Sequence, residues 1–91
     1  MPSYLVETYL ARGDAKGRVA RERQARSAAQ ELTRKGTSVR FVRAIHVPED
    51  EICFFVFDAP SNPEAVLVAE LAGLGLLRVV EAFSSGEEIR S

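Results

Sequence analysis

The segment SVRFVRAIHVPEDEICFFVFD, residues 38–58, decides how this chain folds. Ser38 to Val47 alternates in character with a period of two, the mark of a strand with two unlike faces. Pro48-Glu49-Asp50 supplies a turn, and Glu51 to Asp58 returns as a second β-rich stretch through Phe54, Phe55, Val56 and Phe57. A hairpin centred on Pro48-Glu49 sets Ile45 opposite Ile52, Arg43 opposite Phe54 and Phe41 opposite Val56. One face then holds Phe41, Arg43, Ile45, Ile52, Phe54 and Val56, and the other holds Val42, Ala44, His46, Glu51, Cys53, Phe55 and Phe57. The returning strand is apolar on both sides, which predicts a central strand covered on each face.

The flanks complete the pattern. Upstream, Ser3 to Leu10 alternates loosely around the β-formers Tyr4, Val6 and Thr8, and Arg12-Gly13-Asp14 breaks that strand. Asp14 is placed to cap a helix from about Lys16 to Lys35, with Gly17 a weak residue in its first turn. Ala25, Ala28, Ala29 and Leu32 fall at i, i+3, i+4 and i+7, one narrow apolar stripe, and Gly36 supplies the stop. Downstream, Ser61-Asn62-Pro63-Glu64 is a capping box that opens a second helix reaching about Ala72. Gly73-Leu74-Gly75 turns the chain into a last strand, Leu76 to Phe83, and residues 84–91 form a polar tail. The order β-α-β-β-α-β predicts one ferredoxin-like α+β domain over residues 1–83, an antiparallel sheet with two helices on one face. Its other face stays open. An open face rich in Phe and Val is an apolar patch that a second copy, making a homodimer, or a ligand is expected to cover.

Composition sets limits on function. The 91 residues leave room for one core, and 46% hydrophobic with 27% charged residues is ordinary for a globular domain. The net charge of −1 hides a division: residues 1–45 carry +6 and residues 46–91 carry −7. The single cysteine excludes an internal disulfide and fits a reducing compartment. No basic stretch followed by a long apolar run marks a signal peptide, and Ala65 to Leu77 is broken by Glu70, Gly73 and Gly75, so no membrane span and a cytoplasmic location are expected. Nucleic acid is not an expected partner. The first helix is Arg-rich, but the aromatic-basic ribonucleoprotein motif is missing and the isoelectric point is near 5.8.

Val39-Arg40-Phe41-Val42-Arg43, Val47-Pro48-Glu49-Asp50-Glu51 through Cys53-Phe54, and Phe57-Asp58-Ala59-Pro60-Ser61 together resemble a family of small bacterial proteins of unknown function, some of them described as nickel-binding. Tyr4-Leu5-Val6-Glu7 and Val80-Glu81-Ala82 are similar to the same pattern, so the likeness spans nearly the whole chain. It implies a ferredoxin-like homodimer and little about chemistry. Two departures stand out. Leu67, Val68 and Leu71 occupy second-helix positions that are usually charged in the family, and there is one histidine where the nickel-binding members use more.

Three constellations are candidates for chemistry, and none of them names a cofactor. Glu7, Arg43 and Glu81, beside Phe41 and Phe54, are expected on the open face, where Arg43 is suited to grip a carboxylate or phosphate. The same three charges also suit an ion-pair network that fixes the register of a dimer. His46, Glu51 and Cys53 group on the other face near the hairpin end; imidazole and thiolate suit nickel, copper or zinc, but the ligand count is short for a closed site. Glu7 and Glu81, if adjacent, would offer paired carboxylates to a small monooxygenase- or cyclase-like enzyme on the open face, by fold-level analogy. The leading expectation is a small dimeric binding protein that holds a small-molecule ligand or a partner on its open face through Glu7, Phe41, Arg43, Phe54 and Glu81.

Overall fold

The computed structural model describes residues 1–83; the polar tail expected at 84–91 lies outside the described residues. In chain order the elements are β1 (Ser3–Tyr9), α1 (Ala15–Arg34), β2 (Arg40–Val47), β3 (Ile52–Asp58), α2 (Asn62–Leu71) and β4 (Leu76–Ala82). Helix α1 begins where the Asp14 carboxylate accepts the Gly17 backbone N–H at 2.9 Å. A Cβ at Gly17 would meet the Asp14 carboxylate where it now stands, so glycine leaves room for this cap geometry. The helix ends at Gly36, whose φ of 106° is in the left-handed region. Helix α2 starts differently from the expected capping box. The Ser61 hydroxyl donates to the Glu64 carboxylate and caps no backbone N–H.

The four strands are ordered β2-β3-β1-β4, and every neighbouring pair is antiparallel. This is the ferredoxin-like α+β fold. The stripe Ala25, Ala28, Ala29 and Leu32 is buried, as are Ala65, Val68 and Ala69 of α2. Opposite them, Val6, Cys53, Phe55 and Phe57 are sealed from solvent. The small alanines let both helices lie close to the aromatic side of β3, which occupies the central position that its two-sided apolar character predicts. Among the described residues no helix is long and apolar enough to cross a membrane.

The hairpin register differs from the expectation, for a local reason. Pro48–Asp50 is a single 3-10 turn, and Glu51 takes a left-handed conformation at φ 52° that reverses the chain. Ile45 therefore lies opposite Phe54 and Arg43 opposite Val56. Between Phe41 and Arg43 the pairing slips, because Val42 is an extra residue on β2. A one-residue insertion exchanges faces, so Phe41 turns toward the helices opposite Phe57 while Arg43 and Ile45 keep the open side.

Candidate functional site

The registers place open-face side chains in three rows running β2, β3, β1, β4, and in a shorter row of Val47, Ile52 and Tyr9 at the hairpin end. The first is Ile45, Phe54, Glu7, Arg78; the second is Arg43, Val56, Leu5, Val80; the third is Arg40, Asp58, Ser3, Ala82. Each row has its own chemistry. In the first, Arg78 Nε donates to Glu7 at 2.8 Å. In the third, one oxygen of Asp58 accepts the Ser3 hydroxyl at 2.7 Å, and the other accepts Arg40 Nε at 3.2 Å and a terminal guanidinium nitrogen at 2.6 Å. The middle row is apolar from Val56 to Val80 and ends in Arg43. A hollow of about 480 Å³ opens over the middle and third rows, floored by Leu5 and Val56 and bordered by Val42, Arg43, Ile45, Ala82 and Phe83. Ile45, Val80 and Phe83 are among the exposed large apolar side chains of the protein.

Of the five residues expected at this site, Glu7, Arg43 and Phe54 lie on the open face and two do not. Phe41 is buried on the helix side, 5.4 Å between ring centroids from Phe57, with the Arg26 guanidinium carbon 5.3 Å above its ring. The Val42 insertion is the cause. Glu81 pairs with Tyr4, whose side chain is in the core, so Glu81 also lies on the helix side. There burial, with the Glu81 and then the Glu64 carboxylates, raises the Tyr4 hydroxyl above the usual tyrosine range. Glu7 and Glu81 thus sit on opposite faces, and the residue across from Glu7 is Arg78. Alternation alone did not decide this, because Val79-Val80 leaves either parity of β4 apolar. A further irregularity, with Leu77 left over where Glu7 and Thr8 pair with Arg78 and Leu76, breaks the count from the strand's start.

The second group separates as well. Cys53 is buried with its backbone carbonyl accepting the Thr8 hydroxyl at 2.8 Å, and burial pushes its thiol up despite the nearby Arg21 and Arg18 guanidinium groups. A raised thiol is protonated near neutrality and a poor nucleophile or ligand. His46 pairs with Cys53 across the hairpin, but the Glu51 carboxylate is engaged elsewhere, accepting the Arg12 backbone N–H at 3.1 Å. Among the described residues no group of three or more His, Cys, Asp or Glu side chains is arranged to hold a metal ion. Of the apolar trio on α2, Val68 is core, and Leu67 and Leu71 remain exposed.

Ser3, Arg40, Val42, Asp58 and Arg78 complete the open face without having been singled out in the sequence. Ser3 and Asp58 were legible in principle, since they share parity with Leu5 and Val56. The partnership of Arg40 depends on the insertion two residues later and has no sequence signal of its own.

No family model matches the chain, and no curated protein is similar to it. Among solved structures, the crystal structure of SCO4226 from Streptomyces coelicolor A3(2) is similar at a TM-score of 0.65 and 19% identity, over 90% of this chain and 98% of that one. At that identity the likeness shows the fold.

Proposed function

We propose that the protein is a small binding protein that works as a homodimer, with its open sheet face as the working surface. One observation supports this most: the face combines an apolar middle row with a hollow of about 480 Å³, and exposes Ile45, Val80 and Phe83. Water leaves such a surface at a gain of roughly 25 cal/mol per Å² of apolar area, which favours a cover. A second copy covers the apolar rows, and the hollow at the Arg40–Arg43 end receives a small molecule. The volume is within the roughly 300–1,000 Å³ of small-molecule sites. The charged pairs Glu7–Arg78 and Arg40–Asp58 flank the apolar middle row on its two sides and give the contact its orientation.

Sedimentation of the Ile45→Glu/Val80→Glu double variant tests the reading. The wild-type chain is expected at about twice its 10.0 kDa and the variant at one chain mass with an unchanged far-ultraviolet spectrum. A dimer that survives both substitutions places the contact elsewhere and removes the open face from the account.

A further inference from the structure

We infer that the occupant of the hollow is an amphipathic carboxylic acid, with its carboxylate on Arg43 and its apolar body against Leu5, Val56 and Ile45. The inference rests on the binding reading above and adds the chemistry of the ligand. Its ground is the matching of charges on the open face. Two carboxylates stand there, and both are engaged: Glu7 accepts from Arg78, and both oxygens of Asp58 are occupied by Ser3 and Arg40. Three guanidinium groups stand beside them, and two are those partners. Among the described residues Arg43 is the one guanidinium of this face that makes no hydrogen bond or ion pair, and it borders the hollow. A guanidinium offers a planar fork of donors that fits a carboxylate in two parallel hydrogen bonds.

The count also selects the ligand's charge. One unmatched cation accommodates one negative charge, whereas a phosphate monoester brings roughly −1.5 to −2 at neutral pH and would leave part of it uncompensated over Leu5 and Val56. Besides Arg43 the hollow is lined by the apolar Leu5, Val42, Ile45, Val56 and Ala82 and, at one end, by the mutually paired Ser3, Asp58 and Arg40; its apolar side favours hydrocarbon or an aryl ring behind the head group. The extra residue Val42 lies next to this arginine on β2, and both line the hollow.

Titration calorimetry of the full chain with decanoate, decanol and decylamine tests the assignment. Decanoate is expected to bind at least about tenfold more tightly than either isostere, as a charge-assisted pair confers. Arg43→Gln is expected to remove that advantage and to leave decanol binding and the thermal midpoint unchanged. Equal affinity for decanoate and decanol would overturn the inference while leaving an apolar binding face in place. Failure of all three probes, in a protein that retains no small molecule, would overturn the binding reading with it.

Discussion

Phe41 is the residue whose position most affects the account. On the open face it would be part of a contact; against Phe55 and Phe57 it is part of the core. Burying an aromatic ring among aromatic neighbours, under the Arg26 guanidinium, makes it structural, and truncation there opens a cavity. Phe41→Ala is therefore expected to lower stability by about 3–4 kcal/mol in chemical denaturation, in the range for buried Phe truncations. A loss below about 1 kcal/mol would mean that the ring is solvated. Arg43, two positions along, is the opposite case: exposed, bordering the hollow and outside the open-face ion pairs of the described residues, it is expected to contribute to the proposed binding and little to stability.

Element β2 sets this difference, because Val42 is one residue more than the ladder needs. Without it, Arg40, Phe41, Arg43 and Ala44 would alternate cleanly against Asp58, Phe57, Val56 and Phe55, the partners they already have. Deleting Val42 is thus expected to give a chain that still unfolds cooperatively and loses no more than about 2 kcal/mol, an ordinary cost for removing a part-exposed residue. A chain that fails to fold would show that the irregularity is needed for the core and has no separate role in placing Arg43. The same element explains what was legible beforehand. The stripe Ala25, Ala28, Ala29, Leu32 is buried as its spacing predicts, since one helix period repeated over two turns leaves no second solution. The central place of β3 was equally legible, because a strand apolar on both sides is favoured inside a sheet; only its Cys53, Phe55 and Phe57 side is covered by the helices, and Ile52, Phe54 and Val56 lie on the open face. An inserted residue has no periodic signature: Phe41-Val42 reads as alternation in either phase, and only the fit of a ring beside Phe57 selects one. Val79-Val80 is ambiguous in the same way, so Arg78 was missed as the partner of Glu7.

At the scale of the whole molecule, the sequence order of elements determines where function has room to act. Two helices on one side close the aromatic core, and what remains is a sheet face four strands wide whose apolar middle row lies between two salt-bridged rows. The +6 and −7 halves of the chain do not form separate bodies. Charges of the two halves meet across the sheet in the pair Arg40–Asp58. The candidate metal-ligating set His46, Glu51 and Cys53, grouped by strand face, loses Glu51 to a backbone contact and Cys53 to burial, whereas the open face keeps Glu7, Arg43 and Phe54 from its expected set and gains Arg40, Asp58 and Arg78. The central claim is that this face is covered when the protein is in use. Native mass spectrometry of the full chain as purified tests it most directly. The account predicts a species of two 10.0 kDa chains with added small-molecule mass that is lost in Arg43→Gln; a single chain with no added mass would contradict it.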